Sequence, residues 1–445
     1  FDLLLLIAAL LIGTQESIVN CWVIFVIFIS ILPRIIPLSR TSIILIASTF
    51  LWSFAMTQYT LNTSFIAPST STVSRSFIVK HPLSSRSKST QRYLMTDKLT
   101  QHNVIVTVPF QSQLSEAHKV TVLGRFIQPH DPTNPGQSNL PIQLKKRQIY
   151  GLFRVTQIIT IDPRKVSPMQ SNALSIRTAI IETINRTFPH PYNTLFFGLI
   201  FGDRGAPLPH DQTEKYSIVG LIHLLVVSGS QISLIATLCL GIISYFTPNK
   251  WIQLFILSSI NYIFYIITGG GPSIARAMIM MGIYQLTDAT QTRHSPVDIL
   301  KCVALIMGLA NPLIIYNLGF QLSFLATFSL LALRPLILTM IPSYIPKLAH
   351  HTLATSLAPF IMTSPLLWLI NGEISALSII SNLLMCIWIE CLVITGCITT
   401  LLLVLKLPLG NLLANSCLGL MVILDKTVDI LNKNPKLDAP IEYFK

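Results

Sequence analysis

Of the 445 residues, 51% are hydrophobic and only 11% carry charge, with a mean hydropathy of +0.62. Such a balance leaves too little polar surface to coat a soluble globule, so most of the chain is expected to face lipid. The formal net charge is nevertheless +13. All seven cysteines (Cys21, Cys239, Cys302, Cys386, Cys391, Cys397 and Cys417) fall in apolar segments, which argues against a disulfide framework or a CxxC metal site.

Residues 1–58 hold three apolar runs, at roughly 3–13, 18–36 and 41–58, read as N-terminal membrane segments. The first is too short to cross about 30 Å of hydrocarbon at about 1.5 Å per residue. It follows Phe1 with no signal-peptide cleavage pattern, so further sequence is expected ahead of it. Arg34 and Arg40 occupy the link between the last two runs and place it on the cytoplasmic side.

The next stretch, 59–168, is polar and basic. Between Tyr59 and Lys165 there are 14 Lys and Arg against four acids (Asp97, Glu116, Asp131 and Asp162), so about +10 of the +13 resides there. A field of that sign suits a polyanion or an anionic lipid surface. Alternating runs at 104–108, 119–123 and 155–161, separated by Pro- and Asn-rich turns, predict a small all-β, OB-like barrel. Arg125, Lys145, Lys146, Arg147 and Arg154 are its candidate DNA-binding residues, and Phe126, Tyr150 and Phe153 are expected in its core more than on a stacking platform.

Residues 169–192 read as an interfacial amphipathic helix, with Leu174, Ile180, Ile181, Ile184 and Phe188 on one face before Pro189 and Pro191. From 193 to 431 the chain is mostly apolar. A short piece, 195–201, leads into Gly202-Asp203-Arg204-Gly205 and reads as re-entrant. Eight spans follow at roughly 218–246, 251–268, 272–288, 297–315, 317–333, 351–370, 380–405 and 410–430, before a polar tail at 432–445. Lys250, Arg293, Arg334, Lys347 and Lys406 fall on alternate links, which independently puts 59–168 outside. The expected fold is thus a polytopic α-helical membrane protein of about 11 spans with one inserted β domain.

Four segments carry a family likeness. Gly220-Leu-Ile-His223-Leu-Leu-Val-Val-Ser228-Gly229 resembles an "HLLAISG" motif and follows Asp203 and Arg204. Ser273-Ile-Ala-Arg276-Ala is similar to "AxRA", and Gly319-Phe320-Gln321-Leu322-Ser323-Phe324-Leu-Ala-Thr327 is similar to "GFQLSFxAT". Ser378-Ile-Ile-Ser381-Asn382 resembles "SPLANLL" without its Pro. Together they resemble the ComEC family of competence proteins. That resemblance implies a bacterial inner-membrane channel importing single-stranded DNA during transformation, served by a periplasmic DNA receptor and a cytoplasmic helicase-like ATPase, with room for a homo-oligomer. Members often continue into a metallo-β-lactamase-like domain with an HxHxDH motif, which is absent from these 445 residues. Ser230, Gln231 and Ile232 stand where the family has a small residue and a His, and Glu390 lies where an apolar residue is expected.

On a helical wheel His223, Ser230, Thr237, Ser244 and Ser233 share a face about 80° wide, a stripe that could line a hydrated path or mediate helix packing. Ser258, Asn261, Tyr262, Tyr265 and Thr268 form a similar band. Arg276 is the strongest ionisable candidate, for phosphate contact or for a structural pair with Glu390. Asp203 and Arg204 suit a local turn, while Asp298 and Lys301 are expected to snorkel. Two alternatives belong to other classes: an intramembrane serine hydrolase built on His223, and a non-conducting membrane scaffold. The first is disfavoured because His223 and Ser230 would stand about 10 Å apart along a helix, beyond the reach of a nucleophile and its base. Neither a catalytic residue, a metal nor a cofactor is expected, and no Walker-type loop is present to drive transport.

Overall fold

The computed structural model describes residues 40–69, 71–83, 90–109, 114, 118–130, 140–163, 168–202, 210–221, 229–292, 294–342, 344, 346–371 and 377–432. The runs expected at 3–13 and 18–36, Asp203, Arg204 and His223, and the tail from 433 onward lie outside the described residues. The chain divides into two compact units, one of residues 1–165 with 298–321, the other of 166–297 with 322–445.

In the first unit, helix α1 (Arg40–Asn62) precedes strands β1 (Val73–Leu83), β2 (Thr90–Asp97), β3 (Asn103–Pro109) and β4 (His118–Ile127), then helix α2 (Leu140–Lys146) and strand β5 (Ile149–Pro163). The strands close into a five-stranded barrel in the order β1-β2-β3-β5-β4. Every pairing is antiparallel except β3 with β5. Period-two alternation drives the closure: Tyr93 and Met95 on β2, and Val104, Val106 and Val108 on β3, all point inward and are buried. The expected core aromatics are indeed inside, Phe153 packing against Phe77 and Phe126 at ring-centroid distances of 5.0 and 4.8 Å. Gly124 stands at a β-bulge, where a Cβ would collide with the Arg154 carbonyl and lie 2.6 Å from the Phe153 ring. Buried Asp97 closes the β2–β3 hairpin: one carboxylate oxygen accepts from the Leu99 amide at 3.1 Å and the other from the Thr100 hydroxyl at 3.0 Å.

The second unit contains α3 (Pro168–Thr187), α4 (Tyr192–Phe201), α5 (His210–Ile218), α6 (Gly229–Phe246), α7 (Lys250–Ile267) and α8 (Pro272–Ala289). Helix α9 (Pro296–Ala310) and a 3-10 turn (Pro312–Tyr316) lie mainly in the first unit. Helix α10 (Leu318–Met340) is followed by α11 (Lys347–Asn371), α12 (Leu377–Val404) and α13 (Leu409–Asn432). Helix α4 is the segment read as re-entrant, and its residues from Leu195 to Phe201 are buried. They share one cluster with Ile180, Ile184 and Phe188 of α3, Leu392 and Val393 of α12, and Cys417 and Met421 of α13. The apolar face of α3 is therefore covered by protein. At Gly396 a side chain would strike Ile200, so the glycine lets α12 close on α4.

Helices stand at all eight places where spans were read, with two corrections. First, the segment expected from 218 is interrupted at its start: α5 ends at Ile218 and a turn follows at 219–221, while 222–228, ahead of the described part of α6, lie outside the described residues. Gly220 takes a positive φ of 75°, and the Leu221 amide reaches back to the Tyr216 carbonyl at 2.8 Å, a Schellman stop that a bulkier residue would strain. Second, among the described residues only α7 and α10 are both long and apolar enough to cross a membrane. Helix α9 has 15 residues, about 22 Å of rise, and α8 carries Arg276, Gln285 and Asp288.

Candidate functional site

In the helical unit, three of the sequence motifs meet at one point. Helix α8 begins at Pro272 behind Gly271, which offers no side-chain cap, and carries Ser273 in its first turn and Arg276 one turn on. The Arg276 Nε donates to the Ser323 hydroxyl of α10 at 2.7 Å, and the Ser273 and Ser323 hydroxyls are 3.0 Å apart. Across from them lies Gly229 of α6, where an added Cβ would overlap Nη2 of Arg276 and sit 3.5 Å from Ala277. Glycine is needed there because the guanidinium fills the space a side chain would take. The adjacent Gln231 is buried and donates to the Leu199 carbonyl at 3.0 Å, tying α6 to the buried helix α4.

Arg276 is 7% exposed, and its bonding partner is a neutral hydroxyl. The pair expected as an alternative, Arg276 with Glu390, is not among the described contacts. Glu390 is exposed on α12. Desolvating a guanidinium without a carboxylate is costly, and within a bilayer such groups mark paths or partners.

The other path candidates are distributed differently. Ser233 and Thr237 are exposed on α6 and satisfied by their own helix, donating to the Gly229 and Ser233 carbonyls at 2.9 and 2.7 Å. They are not partners of Arg276. The side chains of Ser230 and Asn382 lie outside the described ones. On α7 Asn261 is buried and Tyr262 exposed, and Thr268, which caps its C-terminus, is buried. Asp298 and Lys301 form an ion pair at 2.8 Å. Within the GFQLSF motif, Gly319 and Gln321 organise the start of α10: the Gly319 amide donates to Asn317 Oδ1 at 2.9 Å, and Gln321 Nε2 donates to the Ile315 carbonyl at 2.6 Å. Phe320 is half-buried.

A further constellation ties α5 to α13. Lys215 Nζ lies 2.6 Å from Asp425 and 2.8 Å from Asp429. Burial alone would lower the Lys215 pKa, but the two aspartates outweigh it and the net shift is upward.

On the barrel, the structure brings together two of the five basic candidates and adds one that the sequence did not single out. Arg125 on β4 is directly opposite Arg154 on β5, Arg154 is beside Thr107 on β3, and Thr107 is opposite Arg92 on β2. The three arginines are exposed, in one row across four strands. At about 4.8 Å per strand the row is about 14 Å long. Like charges directly opposed on neighbouring strands destabilise a sheet, so the arrangement favours an anion bound across it. On the same face the next row is aliphatic and half-buried, with Leu94, Ile105, Leu152 and Ile127 in register. Alternation on β2 could have flagged Arg92 as outward, but its register against β5 depends on the parallel β3–β5 pairing, which has no local sequence signal.

Lys145 and Lys146 are engaged elsewhere. Lys145 Nζ donates to the Leu61 carbonyl at 2.6 Å and lies over the Phe65 ring, while Lys146 Nζ lies 3.9 Å from the centre of the Tyr316 ring. Both act as local fasteners for α2, and Arg147 stays exposed.

Comparison with known proteins bears on both units. The competence protein family profile matches residues 199–442. Among curated proteins, the chain is 26% identical to ComE operon protein 3 of Bacillus subtilis over 296 residues, covering 65% of this chain and 36% of that protein. It is 27% identical over 165 residues to the uncharacterized protein YcaI of Escherichia coli, covering 35% of this chain and 22% of that protein. The aligned part is thus little more than a third of these relatives' length at most. No solved structure matches. The family match spans more than half of the chain and takes in the whole Gly229–Arg276–Ser323 junction, so this protein belongs to the competence protein family, ComEC, and is accordingly a membrane protein.

Proposed function

We propose that this chain is the inner-membrane channel through which a single DNA strand is imported during natural transformation, acting by conduction rather than catalysis. About 11 spans, with the OB-like barrel on the outer side, fit that role. The observation that carries the reading is the inverted polarity of the helical unit. Its surface bears Tyr245 (86% exposed), Phe246 (78%) and Phe255 (74%), whereas Arg276, Gln231, Gln253, Asn261 and Gln285 are buried. Lipid accepts such a surface, and a polyanion crossing hydrocarbon needs polar groups and at least one compensating cation inside. Arg276, held by a hydroxyl, supplies a weak contact that a passing strand can leave, where a dense basic ring would trap it.

The barrel's part is to gather the strand. Its exposed arginine row offers phosphate contacts, and its inward-facing aromatics leave little for base stacking, so binding would be mainly electrostatic and steeply salt-dependent. A periplasmic receptor would deliver the strand and a cytoplasmic helicase-like ATPase would pull it. Deletion of the gene in a transformable host, followed by complementation, tests the proposal. Labelled DNA should stop reaching the cytoplasm and resume on complementation; uptake at the wild-type rate in the deletion strain would remove the channel reading.

A further inference from the structure

We infer that α10 and α11 together hold a headgroup site for an anionic phospholipid, built on Arg334, His351 and Thr355. Arg334 Nε donates to the Thr355 hydroxyl at 2.9 Å, and its Nη2 lies 3.3 Å from His351 Nδ1. A guanidinium can only donate, so His351 Nδ1 is the acceptor and the ring carries its proton on Nε2, the nitrogen away from the arginine. His351 and Thr355 are exposed and Arg334 is half-buried, so a ligand can reach all three. Beside them the two helices are packed together by Ile337 of α10 with Ala354 and Ala358 of α11.

The cluster is positive and has no acid of its own. Among the described residues Arg334 makes no ion pair, and both of its bonding partners are neutral acceptors. The sequence has no Asp or Glu between Asp298 and Glu373, while Lys347 and His350 add to the basic groups of the same stretch. A phosphate oxygen would supply the charge-assisted bond that the guanidinium lacks.

Depth selects the ligand. Helix α10 is long and apolar enough to cross a membrane, and its 23 residues rise about 34 Å against about 30 Å of hydrocarbon. Arg334 stands about 9 Å before the end of α10 at Met340, where its side chain reaches from the hydrocarbon edge to the lipid phosphates. The neighbouring surface is apolar and outward: Leu336 is 57% exposed, Met340 79% and Tyr344 85%. Acyl chains cover such a surface, and a tyrosine suits the headgroup boundary. A zwitterionic lipid would bring an ammonium group that meets no carboxylate in this stretch, so the anionic class is favoured. The site is independent of the channel reading, and the orientation proposed above only assigns it to the inner leaflet.

The test is native mass spectrometry of the purified full-length chain, released from micelles holding equal amounts of phosphatidylglycerol and phosphatidylcholine. The wild type should retain phosphatidylglycerol in preference. Arg334→Gln should lower that retention about fivefold, the effect of one cation at a lipid surface. His351→Phe keeps the arginine but removes the outward ring donor, and should lower it less; it carries the comparison if melting curves show Arg334→Gln to be misfolded. Lys406→Gln, at an exposed cation on a different link, should change nothing. An equal loss in Lys406→Gln would mean diffuse attraction to the surface and would overturn the site, as would equal retention of both lipids by the wild type. Displacement of the bound lipid by oligothymidylate would give the cluster to a DNA strand and overturn the lipid as occupant. No readout here uses DNA import, so loss of the channel reading would leave the lipid site standing.

Discussion

The barrel and the helical unit solve opposite solvation problems with the same amino acids. In the barrel, Phe77, Val104, Val106 and Phe153 are inside while Arg92, Arg125 and Arg154 are outside, the order expected of a surface in water. In the helical unit Trp251, Phe255 and Tyr245 are outside while Arg276, Gln231 and Asn261 are inside. A buried polar group in the barrel is a structural device, as with Asp97 closing its hairpin. In the helical unit two of the buried polar groups, Arg276 and Gln231, lie where the family motifs converge. The difference teaches where to look for function: on the outer face of one unit and in the interior of the other.

The sharpest way to break this comparison is to strike the barrel core. Phe153→Ala removes a 1%-exposed ring held between Phe77 and Phe126, and the expected cost is about 3–5 kcal/mol. Hydrogen exchange on the full chain should show protection lost across β1, β4 and β5, with the helical unit unaffected. Equal loss in both units would mean that the two do not stand apart.

The next effect lies in the helical unit. Lys215→Met strands Asp425 and Asp429 without their partner, at a cost of about 1–3 kcal/mol, since the groups are only partly buried. The same pair has a pH signature. A lysine whose folded pKa is raised contributes stability that is present below its unfolded value and is lost as pH rises through the folded one. The unit should therefore weaken only on the alkaline side of the ordinary lysine range, and Lys215→Met should abolish that alkaline step in a pH series of melting curves.

A smaller change sharpens the outer face of the barrel. Replacing Arg92, Arg125 and Arg154 together with Gln should weaken single-strand binding about tenfold at low salt, or about 1.4 kcal/mol. It should also flatten the slope of log affinity against log salt by about 2, as expected for three lost phosphate contacts on a single strand. Fluorescence anisotropy over a salt series reads both. Replacing Lys145 and Lys146 should leave the slope nearly unchanged and loosen α2 instead. The reverse result would move the binding face to α2.

The smallest effect separates an exposed hydroxyl from a buried one. Thr237→Ala removes a group already bonded to its own helix, so stability should change by no more than about 0.5 kcal/mol. If DNA uptake is likewise unchanged in Thr237→Ala but falls in Ser323→Ala, the functional hydroxyls are the interior ones.

The fold was largely readable because its signals are local. A period of two drew β3, β4 and β5, and apolar runs drew the helices from α6 to α13. Gly220 was missed as a stop signal because its flanks are apolar, and hydropathy averages over a single glycine; the positive φ that ends α5 appears only in the backbone.

Sequence alone determined which residues bear charge, which segments are apolar and which motifs the chain carries, since these are properties of neighbours along the chain. Tertiary structure decided which of them meet. Arg276 is 47 residues from Ser323, and Arg92 is two strand pairings away from Arg154. Contacts at such separations are set by helix packing and barrel register, and no local pattern encodes either. Hence Arg276 was legible as a candidate while its contact with Ser323 was not, and Arg154 was legible while Arg92, two strands away in the same row, was not.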